Sequence, residues 1–495
     1  MRWHMQFSPR LVGVIAGVVA VTVLSLVFAS EGVRNGPAGP FGTVQPGTDE
    51  LLMDLDIQAA YDDDDMVMRF SWETDAPSLY HDFLVYEGGE WVRYGGEADG
   101  SAFPLNEDRV HFLLDDGSVD GFEHYGGFMT VFSFTRMMSP EDVDEEESEE
   151  AIGQDDLRKM LPDSMEDHSD WRTLRDEDEL ADLRQAGYFL DLWHWRSHRS
   201  NPIGWSDDQF VLDRRRSDDG EGVASTNFDG DLEQPEWMFD PDLTGQYAMS
   251  WDRIQSLDYT LDDPYYLSPD NAVPFDPDHD WQDGDAIPRR FLTEPEGSRA
   301  AIFSQATIDN GRWTVELRRA LDTGYPEDDK ILEEFGRYDL APAVHAGATG
   351  GRWHYVGMPV TLGLGRDADV EAMRFSGDGP DWDAIEPTTV ELFYPGVIAW
   401  DYLADRQSHA GAGAIGANAS FYAAHDEEKM GFYALESEFR DQIISQWLWT
   451  TLMWTVFILG ATVAFMKLAR RYGRERTGDE TIVRDDALRA EEHNA

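Results

Sequence analysis

Apolar and polar side chains alternate with a period of two at two places in this chain. Met66, Met68, Phe70 and Trp72 alternate with Val67, Arg69 and Ser71. Trp313, Val315 and Leu317 alternate with Thr314, Glu316 and Arg318, directly after the turn Asp309-Asn310-Gly311. This period puts successive side chains on opposite faces of a half-buried strand. Leu84–Tyr86 and Val110–Leu114 are short apolar runs between turns, and Tyr355–Leu364 is another, broken by Pro359. Many short strands separated by Gly and Pro predict a mostly β fold, a sandwich or a barrel. No repeat with a period of about 20–50 residues is present.

Two stretches are too long and apolar for strands. Residues 11–29 contain no charge; Arg2 and Arg10 precede them and Glu31 follows. Nineteen such residues are enough to cross a bilayer. A signal peptide is the competing reading, with Val27-Phe28-Ala29 as a tolerable cleavage site, but its apolar region would be shorter. We take the segment as an uncleaved anchor. Residues 443–466 are the second candidate, with Trp447, Trp449 and Trp454 at the start and Lys467, Arg470, Arg471, Arg474 and Arg476 after it. Aromatic side chains favour the membrane interface and basic ones the cytoplasmic side. Both termini (1–10 and 467–495) are then cytoplasmic, and the large middle part faces the exterior of the inner, cytoplasmic membrane.

That middle part divides by composition. Residues 30–49 are a Gly/Pro-rich linker, and 50–365 hold the strands. An acidic insertion at about 139–187 opens with Glu141–Glu150 and reads as solvated or helical. Residues 206–300 read as long loops rich in Asp, Pro and Gly. No clear strand set follows residue 365, so 366–442 read as a juxtamembrane stalk. The expected architecture is a β-sandwich ectodomain with long acidic loops, flanked by two transmembrane helices.

Charge and composition narrow the chemistry. Across 495 residues, 98 Asp and Glu oppose 39 Lys and Arg, a net charge of −59. That excludes nucleic-acid binding through phosphate neutralisation. Only Lys159, Lys330, Lys429 and Lys467 are lysines. An acidic, lysine-poor surface suits high salt, where carboxylate repulsion is screened. The chain has no cysteine, which excludes disulfides, thiolate metal sites, iron–sulfur clusters and covalently attached haem c. No hydrolase, zinc-protease, Walker or dinucleotide motif is present.

Histidines and methionines in apolar settings are the remaining candidates. In Tyr188–Arg199, read as a strand, Phe189, Asp191, Trp193 and Trp195 share one face and Leu190, Leu192, His194 and Arg196 the other. His194 is a candidate haem ligand, as are His345 and His354 within Ala343–Gly365 and Met129, Met137 and Met138 within Phe128–Met138. A buried histidine satisfied by a hydrogen bond, and methionines filling core gaps, explain the same residues. Asp276, Asp278 and Asp280 space oxygen ligands as a calcium loop does, but Trp281 and Ile287 break the EF-hand pattern.

Asp309–Arg319, Arg352–Val356, Thr361–Leu364 and Leu192–Pro202 resemble the ethylbenzene dehydrogenase-related haem-binding domain over about residues 50–365. That resemblance implies a sandwich like DOMON and type 9 carbohydrate-binding modules. It also implies the role of the haem b (gamma) subunit of membrane-exterior molybdenum enzymes of the dimethyl sulfoxide reductase class, or of a cytochrome c-552-like membrane protein. Relatives with covalent haem carry C-x-x-C-H motifs. Phe128–Phe132 stands in one such place without Cys or His, and Phe421–His425 in another without Cys. The gamma subunit binds iron through Met and Lys. No Lys falls in the matching strands here, so the resemblance implies Met137 or Met129 with His354, and His194 next.

The expected function is electron transfer by a non-covalent haem b, with a molybdenum oxidoreductase or cytochrome as partner and no catalysis by this chain alone. The alternative is a haem-free sandwich, with no cofactor, serving as a ligand-binding or complex-assembly module. Trp193, Trp195 and Trp205 would then line an exposed aromatic groove.

Overall fold

The computed structural model describes residues 52–393, apart from 75–76, 96–104, 106, 128–144, 155–158, 168–169, 347–354 and 378, together with parts of a helix between 449 and 471. Two compact units separate: residues 49–433, and 1–48 with 434–495.

The first unit is mostly β. Its principal sheet has thirteen strands: β1 (Leu52–Tyr61), β2 (Asp65–Glu73), β3 (Arg109–Asp115), β4 (Leu190–Arg196), β5 (Asp207–Val211), β6 (Arg215–Ser217), β7 (Phe303–Asp309), β8 (Arg312–Ala320), β9 (Arg337–His345), β10 (Tyr355–Gly357), β11 (Val360–Leu364), β12 (Val370–Arg374) and β13 (Thr388–Phe393). The order is β7-β8-β2-β1-β12-β11-β9-β3-β4-β5-β6, and β13 and β10 form a second bridge between β1 and β9. All pairs are antiparallel except β12 with β1 and with β11.

The alternating strands found in the sequence are direct neighbours. Trp72 pairs with Trp313, Phe70 with Val315 and Met68 with Leu317. The β7–β8 hairpin turns at Asn310 and Gly311, both with positive φ (50° and 75°). Two left-handed positions match the strand twist and suit Asn-Gly.

The inner faces of the two halves of the sheet meet in one core. Phe70 on β2 lies 5.3 Å from Phe112 on β3, and Trp195 on β4 lies 6.1 Å from Trp72 and 5.1 Å from Trp313 (ring centroids). Aromatic pairs at these separations add stabilisation beyond their buried area.

Several expectations change here. Residues 206–300 are packed structure: Phe239, Met249, Ile254, Tyr265 and Ile287 are buried in the same core. Two strands, β12 and β13, lie beyond residue 365 and extend the sheet to Phe393. The later acidic insertion is not all solvated. Leu161, Leu180 and Tyr188 pack with Leu113, Leu190 and Leu192 on the outer face of β3 and β4. A helix at Glu177–Gln185, closed by a capping box between Asp176 and Glu179, presents Leu180 to that face. The β3–β4 half is therefore buried on both sides, and its sequence reads as apolar runs rather than alternation.

In the second unit, Trp449, Met453, Ile458, Val463, Phe465 and Met466 expose apolar side chains. Among the described residues no helix is long and apolar enough to cross a membrane. The segment 11–29 lies outside the described residues, and 443–466 lies partly outside them.

Candidate functional site

The register of three neighbouring strands brings three imidazoles to the outer face of the sheet. His111 on β3 sits opposite His194 on β4, and His345 ends β9 beside Arg109 of β3. Trp193 and Trp195 point into the core, so His194 and Arg196 point out with Leu190 and Leu192, as the period of two requires. The His111 ring lies 4.9 Å from that of His194 and 5.9 Å from that of His345, both edge-on.

His194 is buried, and its protonation state follows from its neighbours. Arg196 Nη2 donates to His194 Nδ1 at 3.0 Å. A guanidinium only donates, so Nδ1 accepts and the ring proton sits on Nε2. Nε2 has no hydrogen-bond partner among the described residues. Gln209 Oε1 also stands 3.0 Å from Nδ1. Burial first, then the charges of Arg196 and the His111 ring, hold His194 well below the usual imidazole range. It is a neutral imidazole at physiological pH.

Around it lies a layer of guanidiniums. Arg196 Nη1 donates to Asp207 Oδ2 at 2.6 Å, and Arg299 to Asp207 Oδ1 at 2.6 Å. Glu107 takes Arg199, with Arg109 3.6 Å away, and accepts the backbone N–H groups of His198 and Arg199 at 2.9 Å. Burial opposes ionisation of Glu107, but Arg199 and Arg109 outweigh it and bring the carboxyl down to about 2. Burial and the charge of Arg199 push Arg109 down to about 9. Four cations thus face two carboxylates, leaving the layer with a surplus of positive charge in a chain that is acidic elsewhere.

Of the residues the sequence marks out, His194 and His345 come together here. Met129, Met137, Met138 and His354 lie outside the described residues. Sequence reasoning missed His111, Arg109 and Gln209; the signal was the shared outward parity of His111 and His194 on strands that pair. The aromatic groove is overturned. Trp193 and Trp195 are fully buried in the core, so they offer no exposed face. Trp205 packs on Phe303 at 4.2 Å. The calcium candidates Asp276, Asp278 and Asp280 lie exposed on a loop, where Asp276 accepts the Asp278 backbone N–H at 3.0 Å.

Haem can be tested against this layer. His194 offers a neutral, buried imidazole whose Nε2 makes no hydrogen bond; to hold an iron there, the ring proton would have to move from Nε2 to Nδ1, where Gln209 Oε1 stands 3.0 Å away to accept it. His111 and His194 stand side by side on one face, so they cannot occupy opposite sides of a porphyrin. Among the described residues, His194 is the side chain that would hold the iron.

An all-β sheet with a buried imidazole–guanidinium centre is the class of protein that fold and site define. The chain belongs to the ethylbenzene dehydrogenase family, whose profile it matches over residues 40–357. It is also 30% identical over 79 residues to cytochrome c-552 of Stutzerimonas stutzeri, a match covering 16% of this chain and 26% of that protein. The chain therefore aligns with about a quarter of that relative. Family and relative fit a haem-related electron-transfer role in general.

Proposed function

We propose that this chain is an electron-transfer protein holding one non-covalent haem b at the outer histidine layer, anchored in the inner membrane with its sheet on the exterior. The observation that carries the reading is His194, neutral and buried with Nε2 unengaged, among more guanidiniums than carboxylates. When bound, the haem supplies one-electron chemistry at a potential set by its ligands and burial. His194 would hold the iron from the sheet side. With iron at Nε2 the ring proton would sit on Nδ1, where Gln209 Oε1 would accept it and hold the ring's orientation, Arg196 staying on Asp207. Arg109 and Arg196 offer charge complementary to haem propionates. Met137, Met129 and His354 are the candidates for the facing ligand. Absence of cysteine limits the group to the non-covalent form.

Anchoring rests on segments 11–29 and 443–466 and on the basic residues that follow the second. The proposed partner is a molybdenum oxidoreductase or another cytochrome.

Hemin titration of the chain, purified in detergent at high salt, tests the reading. Saturation at one hemin per chain with a red-shifted Soret band is expected, and the His194→Ala variant weakens it. Absence of saturable binding in a folded chain contradicts it and leaves the haem-free assembly module.

A further inference from the structure

On the inner face, away from the histidines, three buried carboxylates surround one arginine, and a fourth lies close by. Asp191 on β4, Asp208 on β5 and Asp329 after β8 each place a carboxylate oxygen within 4.8 Å of the others. Arg319 on β8 reaches across the core, 1% exposed, and donates through Nη1 to Asp191 Oδ2 at 2.8 Å and Asp329 Oδ1 at 2.9 Å. Its Nη2 is taken by the Lys330 carbonyl, and its plane covers the Trp193 ring at 4.4 Å. With Asp208 Oδ2 4.0 Å from Nη1, one guanidinium serves three carboxylates.

The fourth is Asp218, just beyond β6 and 3% exposed. Neither of its oxygens has a hydrogen-bond partner, and neither has either oxygen of Asp208; Asp191 Oδ1 is also unpartnered. Asp218 adjoins Asp208: its backbone N–H donates to the Asp208 carbonyl at 3.4 Å. Other buried carboxylates in this chain are handled differently. Glu107 has two arginines, Asp207 has two, and Asp82 has Arg93, Arg289 and Arg290. Nearby cations do not make up the difference. Lys330 Nζ is taken by Asp116, Ser118 and the Gly187 carbonyl, and Arg184 pairs with Asp328.

We propose that Asp191, Asp208, Asp218 and Asp329 form a binding site for one divalent cation, and that the cation is calcium. Three of the carboxylates converge, and five oxygens of Asp191, Asp208 and Asp218 lack hydrogen-bond partners; unpaired buried charge of this kind is strongly unfavourable. All the donors are hard oxygens, without imidazole or thiolate, which selects against zinc and copper. Calcium accepts about six to eight oxygen ligands in irregular geometry, including bidentate carboxylates, whereas magnesium keeps several waters and a strict octahedron. The donors come from β4, β5, the segment beyond β6 and the loop after β8, so the ion ties that loop to one half of the sheet. This site is independent of the haem reading.

The test uses the full chain at molar salt, which screens weak binding to surface carboxylates. Metal content is measured after gel filtration, and thermal unfolding is followed with calcium, magnesium or chelator present. One calcium per chain is expected, with an unfolding temperature that falls by several degrees in chelator and recovers with micromolar calcium but not magnesium. The double variant Asp208→Asn with Asp218→Asn should lose the metal and the calcium response, yet unfold above the chelated wild type, because repulsion is removed. Wild type without stoichiometric calcium and indifferent to chelator overturns the proposal: protons then neutralise the cluster. Should the double variant not fold, Asp218→Asn alone is read in the same way.

Discussion

Arg196 donates to Nδ1 of His194, two positions earlier on the same strand, while its other nitrogen is held by Asp207 on the neighbouring strand. Buried cation, imidazole and carboxylate are one unit. Breaking a buried ion pair from one side leaves the other charge uncompensated, at a cost of about 3–5 kcal/mol. Arg299 still holds Asp207 at 2.6 Å, so Arg196→Met should destabilise the chain by less than that amount in denaturant unfolding at molar salt. An unchanged midpoint would contradict the unit.

Acid should weaken the fold through His194. Its folded pKa lies well below the usual value because of burial and the neighbouring Arg196. Below about pH 6.5 the unfolded chain takes up a proton that the folded chain refuses, so stability falls as pH falls through that value. His81 and His198 are shifted the same way. His194→Gln should make the decline between about pH 6.5 and 5 shallower than in the wild type. The slope is read from unfolding midpoints at successive pH values.

Asp218 should act in the opposite sense when calcium is removed. Burial, then Asp329 and Asp191, push it up to about 9. Between the unfolded carboxyl value of about 4 and that folded value, the folded chain keeps a proton that the unfolded chain has lost. Its contribution is therefore lost as pH rises through that window. In chelator, the advantage of Asp218→Asn over wild type should grow from pH 5 to pH 8. A difference independent of pH would show that Asp218 is already ionised in the fold.

Leu180 tests whether the acidic insertion is structural. It is buried against the outer face of β3 and β4. Leu180→Ala should cost about 2–5 kcal/mol, as deletion of a core leucine does. A solvated helix would lose only a few tenths of a kcal/mol.

The strands with one polar face were legible from sequence, and Trp72 and Trp313 even prove to be partners across β2 and β8. Strands buried on both faces carry no alternation, so β3 and β4 gave only short apolar runs. The outward parity of His194 could still be read from its flanking tryptophans. His111 was hidden inside such a run, and its meeting with His194 depends on register between strands 83 positions apart, which local pattern does not encode. β12 and β13 are short and half polar, so they resemble loops. Asp191, Asp208, Asp218 and Asp329 were invisible for a different reason. Among 98 acidic residues nothing local distinguishes a buried carboxylate from a solvated one.

The most direct measurement is the absorption spectrum of the chain as isolated from membranes at high salt, oxidised and then reduced with dithionite. The account predicts a Soret band, sharp α and β bands on reduction, and haem that acid acetone extracts. A chain that is folded, shows no visible absorption in either state and takes up no added hemin would contradict it.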